Sequence, residues 1–325
     1  LRITGTSICA TDIEEWQYGP LWVQHGSPNA MTGKQTPLVL GHETAGTVAE
    51  LGEGVDNVAV GDRVAINTVL TCGTCFWCMK GQQAVCPNMA VAGFMADGGL
   101  AEFMVWPADK LVPMPDSISD AEGPLLEPAT VAVHGVRRSG VRPGDYVAVL
   151  GCGTVGLLTV QAFKTAGARV IAIDVREQNL ALAKELGADE TVISRDETAA
   201  AAELLELTGG IGPDIVVETA GAKETPRMAI EWTRRGGTTL LLGIYSTTPE
   251  INFNNVVGPE ITVIGSVATS PGDLEVAVEL VGNGSINVKP LISEIVPLSR
   301  AMEDGFQRML DPNKDIYRIV IQPGS

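Results

Sequence analysis

The sequence predicts an α/β chain of two domains, one rich in short strands and one built on a doubly wound parallel sheet. Its 325 residues exceed what a single core usually organises. The first half carries β-branched runs broken by glycine, and from residue 145 onward apolar runs alternate with helical stretches. With 45% hydrophobic and 19% charged residues, the composition is that of a globular protein.

The chain has a formal net charge of −17, from 22 basic and 39 acidic residues. Proteins bind nucleic acids largely through Lys and Arg, so this charge argues against a nucleic acid partner. No apolar run approaches the roughly 20 residues that span a bilayer, and the start lacks a basic-then-apolar signal. We therefore expect a cytoplasmic protein with no membrane partner. Because Leu1 opens a strand-like alternation, we also expect that a natural N-terminal segment precedes it.

The β-rich domain is predicted from residues 36–69, where short β-branched runs are separated by glycine-containing turns. We assign residues 1–127 and 268–325 to it. The parallel-sheet domain is expected at 128–267, since its apolar runs alternate with helices as βαβ units do. A helix that opens near Pro128 is predicted to lead into it, and the chain is predicted to return near Gly265.

A glycine loop marks the second domain as a nucleotide-binding one. The apolar strand at 145–150 runs directly into Gly151-Cys152-Gly153-Thr154-Val155-Gly156, and an apolar-periodic helix follows. In this context Gly151 permits the tight turn, Gly153 lets the backbone approach a pyrophosphate, and Gly156 lets helix and strand pack closely. Thr154 and Val155 open the helix, whose N-terminus favours the anion.

Asp174 ends the next apolar run, 18 residues after Gly156. A carboxylate about 20 residues beyond the glycine motif binds the ribose hydroxyls and would repel the 2′-phosphate of NADP, so Asp174 favours NAD. Arg176 could accommodate that phosphate, although a solvated surface arginine is the simpler interpretation. Gly243, which follows a later apolar run, is also placed among the cofactor-binding residues.

Four of the six cysteines form a C-x2-C-x2-C-x7-C pattern, which gathers four thiolates around one tetrahedral ion. Two disulfides are the alternative, but a chain without a signal peptide favours metal. A site closed by four thiolates has no open coordination position, so this zinc is expected to be structural. Its ligands are Cys72, Cys75, Cys78 and Cys86.

Cys9 and His42 are candidates for a second metal site. Each residue taken alone is as well explained by packing in a core. Read with the other motifs, however, the chain resembles the zinc-containing medium-chain alcohol and polyol dehydrogenases along nearly its whole length. The motifs that carry the resemblance, in order, are Cys9-Ala10-Thr11-Asp12, Gly41-His42-Glu43, the four cysteines, Leu126-Glu127-Pro128-Ala129 and the glycine loop.

Within that family the chain is most similar to the butanediol and sorbitol branch. Residues 19–43 and 126–139 look like the 2,3-butanediol dehydrogenases, and threonine and sorbitol dehydrogenases share less of these stretches. The resemblance implies a GroES-like fold for the β-rich domain and a Rossmann fold for the other. It also implies a catalytic zinc held by Cys9, His42 and a carboxylate, with water or the substrate oxygen as fourth ligand. Glu127 is our first choice for the carboxylate, and Glu43 is the alternative.

The resemblance assigns roles to three further residues. Thr11 would take the alcohol proton, and Arg318 would contact the cofactor pyrophosphate. Many relatives have a histidine where this chain has Glu14, so the proton relay is expected to end differently here. The loop that contains Trp16, Trp22 and His25 is expected to shape the substrate pocket.

We therefore predict a zinc-dependent oxidoreductase that transfers hydride reversibly between NAD and a secondary alcohol, vicinal diol or polyol. Threonine or sorbitol dehydrogenase activity is the alternative within the family. A non-catalytic NAD-binding zinc protein would have no reason to retain Cys9, His42, Glu127 and Thr11 together. The family also implies a homo-oligomer, a dimer or a tetramer, with residues 258–267 as the candidate interface strand.

Overall fold

The computed structural model describes residues 1–311 and 315–324. The strands are β1 Arg2–Ser7, β2 Glu43–Thr47, β3 Arg63–Ile66, β4 Val69–Leu70, β5 Ala90–Val91, β6 Leu111–Pro113, β7 Tyr146–Leu150, β8 Arg169–Asp174, β9 Glu190–Ile193, β10 Ile215–Glu218, β11 Thr238–Leu241, β12 Thr262–Gly265, β13 Ile292–Pro297 and β14 Arg318–Gln322. The α-helices are α1 Ala10–Tyr18, α2 Phe76–Met79, α3 Leu126–Ser139, α4 Thr154–Thr165, α5 Glu177–Glu185, α6 Glu197–Leu207, α7 Thr225–Trp232, α8 Asn254–Val257, α9 Asp273–Gly282 and α10 Gln307–Met309.

The chain divides into two compact units. Unit 1 comprises Leu1–Thr130, Ala268–Gly284 and Val288–Ser325, and unit 2 comprises Val131–Val267 and Ser285–Asn287. The predicted segment 268–325 includes residues 312–314 and 325, which lie outside the described residues. None of the helices in the described residues is long and apolar enough to cross a membrane.

Two details of this division differ from the predicted domain boundaries. The changeover falls inside helix α3, between Thr130 and Val131, where no break in the helical pattern marks it. Residues 285–287 belong to unit 2 because Asn287 exchanges hydrogen bonds with Gln161 of helix α4. A contact over that sequence distance leaves no local signal.

Unit 1 is built on a mixed sheet of order β13-β14-β1-β2-β3-β6. Strand β1 pairs antiparallel with both β2 and β14, so that Ser7 lies opposite Glu43 on one side and Val320 on the other. Ile8 continues the pairing by donating its N–H to the carbonyl of Ile319 at 3.0 Å. The end of β1 and the starts of β2 and β14 therefore lie side by side at one end of the strands.

Unit 2 carries a parallel sheet of order β12-β11-β10-β7-β8-β9, which confirms the predicted doubly wound arrangement. Its central strands are continuous apolar runs because a parallel sheet is covered on both faces. The core against one face includes Leu150, Ile171, Val216 and Trp232. The strand order reverses between β7 and β10, and ligands of such sheets bind at the carboxyl ends of the strands at this point. The glycine loop follows β7.

Candidate metal centre and cofactor site

The converging strand ends of unit 1 bring three metal-binding side chains together. Cys9 follows β1 and caps helix α1, while His42 and Glu43 lie at the start of β2. One ligand atom from each of the three lies within 4.8 Å of the others. Gly41 has a φ of +96°, and a Cβ there would lie 2.7 Å from Thr6, so only glycine fits before His42.

Asp12 supports this cluster from helix α1. One of its carboxylate oxygens accepts the N–H of Cys9 at 2.9 Å, and the other faces Nδ1 of His42 at 3.4 Å. Burial works against a charge on His42, but Asp12 and Cys9 outweigh it and raise the pKa of His42 well above its ordinary value. With Nδ1 turned to a carboxylate, Nε2 is the nitrogen that a metal would take, in place of the proton.

Glu43 is held by a second set of contacts. Arg318 donates from Nε to Oε2 at 2.9 Å and from Nη2 to Oε1 at 2.8 Å, and the hydroxyl of Ser7 donates to Oε2. A carboxylate offers about four acceptor positions, so one position on Oε1 stays available for a metal. Attraction to Glu43 outweighs the burial of Arg318 and raises the pKa of its guanidinium.

Glu127, our first choice for the third ligand, is not among the residues whose ligand atoms lie within 4.8 Å of one another. Glu43 is one of them. Glu127 lies in the first turn of helix α3 and lines a cavity of about 10 Å³ with Asn67 and Thr130. Burial raises the pKa of Glu127 to about 7, with His42 opposing and Glu43 adding to the effect. The two carboxylates are therefore electrostatically linked, and which of them binds metal stays a prediction.

Thr11, the predicted proton acceptor, lies in the first turn of helix α1. Its hydroxyl oxygen is 3.6 Å from the sulfur of Cys9. Because Cys9 is a member of the metal-binding set, the hydroxyl is placed beside the atoms that would surround the ion. Glu14 lies on the same helix and is half-buried.

The four-cysteine lobe has the geometry of a tetrahedral sulfur site. The sulfurs of Cys72 and Cys78 are 4.0 Å apart, those of Cys75 and Cys86 are 3.9 Å apart, and those of Cys86 and Cys72 are 3.6 Å apart. A tetrahedron with Zn–S bonds of about 2.3 Å has edges of about 3.8 Å. N–H groups of Thr74 and Cys75 lower the pKa of Cys72 to about 6, whereas burial raises the pKa of Cys78 to about 11, so it is the sulfur distances that identify the site. All four are free thiols, so the donor set fits zinc and not disulfides.

The glycine loop leaves room for a ligand. A Cβ at Gly156 would lie 1.9 Å from the carbonyl oxygen of Gly151, and one at Gly151 would lie 2.8 Å from Ala220, so protein packing requires both glycines. Gly153 differs, because a Cβ there would meet nothing within 4 Å and its φ is an ordinary −71°. It is the N-cap of helix α4, so no side chain at this position stands in front of the helix N-terminus. That space fits a pyrophosphate.

Asp174 is fixed beside this loop at the end of β8. Its carboxylate accepts the N–H of Cys152 at 2.7 Å, the N–H of Arg176 at 2.8 Å and an amide N–H of Asn179 at 3.2 Å. Three of about four acceptor positions are thus used, and the carboxylate is held in place with one left for a ribose hydroxyl.

The other predicted cofactor residues have different surroundings. Arg176 caps helix α5 with its backbone, and its side chain is exposed. A Cβ at Gly243 would lie 2.3 Å from the Glu218 carboxylate, so packing alone accounts for that glycine. Arg318 lies with Glu43 in unit 1. Cofactor contacts of all three stay predictions.

Comparison with known proteins shows the family of this chain. Residues 1–116 match the alcohol dehydrogenase GroES-like domain, and residues 154–283 match the zinc-binding dehydrogenase domain. A relative from Neosartorya fischeri, named probable D-xylulose reductase A, is 37% identical over 314 residues, which cover 95% of this chain and 85% of the relative. The chain belongs to the zinc-binding alcohol dehydrogenase family. The predicted family, the GroES-like and Rossmann folds and the oxidoreductase class are confirmed.

Solved structures of the family extend the likeness to three dimensions. That of 2R,3R-butanediol dehydrogenase from Bacillus subtilis has a TM-score of 0.91 and 31% identity, and the match covers 99% of this chain and 91% of that one. A zinc-binding dehydrogenase from Sinorhizobium meliloti, solved with NADP bound, has a TM-score of 0.86 and 31% identity, with 99% and 91% covered. Structures of this dehydrogenase family thus include a complex with a nicotinamide nucleotide.

Sequence reasoning missed several residues that support the site. Ser7 holds Glu43, the ring of Phe94 lies 4.9 Å from that of His42, and Glu15 anchors the loop after helix α1. Ser7 and Glu43 could have been paired had the strand register been known. Phe94 lies 52 positions from His42 in a segment with no motif, so the sequence gives no signal for that contact.

Proposed function

We propose that this dehydrogenase oxidises secondary alcohols, vicinal diols or polyols reversibly to ketones, with NAD as the hydride acceptor. The observation that carries the proposal is the set of Cys9, His42 and Glu43, in which Cys9 is half-buried, His42 and Glu43 are buried, and Asp12 faces His42. A thiol, an imidazole and a carboxylate are the three protein ligands of an open zinc site, and a structural site would use a fourth.

Two zinc ions would have different tasks. Cys72, Cys75, Cys78 and Cys86 would hold one that only maintains the lobe. Cys9 and His42, with Glu43 or Glu127, would hold the other. When bound there, zinc supplies a Lewis acid that lowers the pKa of an alcohol and polarises a carbonyl.

The chain's own residues supply the remaining chemistry. The hydroxyl of Thr11, beside Cys9, accepts the alcohol proton and passes it on toward solvent. Asp12 orients His42, and Arg318 fixes the buried Glu43 side chain through two hydrogen bonds. Glu127 is buried and electrostatically linked to both His42 and Glu43, so it stays the other candidate for the third ligand position.

NAD is favoured over NADP by the fixed position of Asp174. The ribose 2′-hydroxyl can donate to the remaining acceptor position of this carboxylate, whereas a 2′-phosphate would be repelled by it. One relative has been solved with NADP and another with NADH, so the choice has to be measured. The names of the relatives, a xylulose reductase and a butanediol dehydrogenase, support a ketone or secondary alcohol as the reacting group.

The test follows NADH formation by absorbance with 2,3-butanediol, sorbitol, threonine and 2-propanol, each with NAD or NADP, before and after chelation of zinc. We expect chelator-sensitive reduction of NAD, fastest with the diol or the polyol. Zinc content of Glu43→Gln and Glu127→Gln then identifies the third ligand. A protein that binds zinc and NAD but reduces NAD with none of the four alcohols would contradict the proposal.

We also propose that two copies associate through β12, the predicted interface strand. It is an edge strand of the unit 2 sheet, and its Val263 is 41% exposed. An exposed edge strand with apolar side chains is suited to pair with a second copy.

A further inference from the structure

Glu15 is a buried carboxylate that binds the backbone of the following loop. It is 7% exposed. Its oxygens accept N–H groups of Leu21 at 3.1 and 3.0 Å, of Trp22 at 2.7 Å and of Val23 at 3.3 Å. Three consecutive N–H groups that converge on one anion form a concave anion-binding arrangement, here filled by the protein's own side chain.

We call these hydrogen bonds between Glu15 and residues 21–23 the Glu15 clamp. It is possible because the loop turns back onto the helix that carries Glu15. Gly19 ends helix α1 by donating its N–H to the Glu15 carbonyl at 2.8 Å. A Cβ at Gly19 would lie 2.2 Å from that carbonyl oxygen and 2.3 Å from the carboxylate, so only glycine fits this turn. The position of Trp22 is thereby set by helix α1.

The same helix also sets the metal cluster. Its N-cap is Cys9, and Asp12 in its first turn bonds to Cys9 and faces His42. Less than two turns later, Glu15 holds Trp22. One short rigid helix therefore fixes the distance between the metal-binding side chains and the loop.

A second connection closes the loop onto the cluster from the other side. Gln24 donates its N–H to the carbonyl of Phe94 at 2.7 Å. The ring of Phe94 in turn lies 4.9 Å from that of His42, tilted by 40°. Residues 21–24 are thus held between helix α1 and the residue that packs on a predicted zinc ligand. Trp22 stays 44% exposed, which leaves part of its indole ring for a ligand.

We propose that Glu15 is a positioning residue for substrate specificity: it fixes the loop that carries Trp22, so that the indole contacts the carbon chain of the alcohol beyond the reacting carbon. This role rests on the proposed function. It predicts that loss of the Glu15 clamp weakens the oxidation of alcohols with a carbon chain that reaches the indole, such as 2,3-butanediol, and has little effect on the oxidation of 2-propanol. If the Glu15 carboxylate only stabilised the fold, its loss would change the oxidation of all alcohols alike.

The first measurement does not depend on activity. Hydrogen exchange at residues 21–23 of the zinc-loaded protein is compared between wild type and Glu15→Gln, since an amide keeps the shape but replaces one acceptor with a donor. We expect exchange at these amides to be at least about tenfold faster. Glu122→Gln is the matched control, because Glu122 caps the backbone of Ser119 in the same unit, outside the site. Unchanged exchange in Glu15→Gln would overturn the clamp.

The second measurement separates binding from chemistry. In Glu15→Gln we expect KM for 2,3-butanediol to rise about tenfold, the effect of losing a small apolar contact, with kcat within twofold and 2-propanol unchanged. Trp22→Ala removes a side chain that is 44% exposed and leaves the Glu15 contacts to the backbone in place, so we expect it to fold and to reproduce this pattern even if Glu15→Gln fails to fold. An unchanged ratio of kcat/KM for the two alcohols in Trp22→Ala overturns the proposal.

The two measurements distinguish a wrong specificity role from a wrong proposed function. If wild type oxidises no alcohol, the specificity role falls with that function, and the exchange data still decide whether Glu15 holds the loop.

Discussion

Arg318 and Glu43 form a buried ion pair in which two guanidinium N–H groups meet the two carboxylate oxygens, at 2.9 and 2.8 Å. It joins the start of β14 to the start of β2, beside Cys9. Removing one partner of a buried pair leaves the other charge uncompensated, which costs about 3–5 kcal/mol. We therefore expect Arg318→Gln to lower the free energy of unfolding by that amount, measured by urea denaturation of the zinc-loaded protein.

Arg300→Gln is the control for that prediction. Arg300 pairs with Asp304 on an exposed surface, where solvent screens the pair, so its loss should lower stability much less than that of Arg318. Equal losses in the two variants would show that the Arg318 pair does not have the energetic role that its burial implies.

The four-cysteine lobe is expected to bind zinc independently of the other cluster. Replacing Cys75 by Ser removes a thiolate from a set whose sulfurs lie 3.6 to 4.0 Å apart. We expect zinc content to fall from about two ions per chain to about one, because a structural zinc needs all four ligands. Elemental analysis measures this, and NADH binding should be preserved.

Cys152→Ala is the matched control for the lobe, since Cys152 is buried in the glycine loop and burial raises the pKa of its thiol. Its zinc content should equal that of wild type. A wild-type protein that carries a single zinc after full loading would contradict the two-site arrangement.

Much of this arrangement follows from local sequence. The strand that leads into Gly151, the helix after it and the Asp174 carboxylate lie close together in the chain, so spacing predicts their geometry. The four cysteines lie within 15 residues and define their own site. In both cases the structure adds distances to a pattern that was already visible.

The choice between Glu43 and Glu127 shows where the sequence stops being informative. It depends on the register of β1 with β2, which brings Ser7 opposite Glu43, and on Arg318 from the far end of the chain. Glu15 was hidden for a related reason. A glutamate near the end of a helix is typical of a solvated surface, and only the turn at Gly19 buries it.

Gly153 provides a test of cofactor binding that packing does not obscure. A Cβ there meets no protein atom within 4 Å, so Gly153→Ala introduces no clash and should cost at most about 1 kcal/mol of stability, because alanine is a poorer N-cap than glycine. The added methyl group would occupy the space through which a pyrophosphate approaches the helix start, and we expect NADH affinity to fall at least about tenfold, or 1.4 kcal/mol. Fluorescence titration with NADH measures this.

The control is Gly52→Ala, another glycine whose Cβ would meet nothing within 4 Å. It lies in a turn of unit 1, and its NADH affinity should match wild type. If Gly153→Ala also bound NADH normally, the pyrophosphate would have to lie elsewhere.

The exposed edge strand β12 predicts that two copies of the protein associate. Replacing Val263 by Arg places a charge on an apolar edge, and we expect the largest species in light scattering to dissociate into smaller ones. Val105→Arg, at a side chain that is 96% exposed in unit 1, is the control. A wild-type protein that is monomeric would contradict the assignment of β12 as an interface.

The pair of Glu197 with Arg227 predicts a pH dependence of stability in unit 2. Arg227 donates to both carboxylate oxygens at 2.8 Å, and these bonds lower the pKa of Glu197 in the folded state. Folding therefore gains stability above the unfolded pKa of about 4.3 and loses it as the pH falls through the lower folded value.

Glu197→Gln should accordingly be less stable than wild type at pH 7, by under about 1 kcal/mol because the carboxylate is partly exposed. The difference should shrink as the pH falls from 5 toward 3, where both proteins carry a neutral group. Thermal unfolding across that range measures it. Glu177→Gln, which removes a more exposed contact to Arg195 at 3.2 Å, should show a smaller pH-dependent difference. An equal difference at pH 7 and pH 3 would assign the Glu197 effect to packing and not to charge.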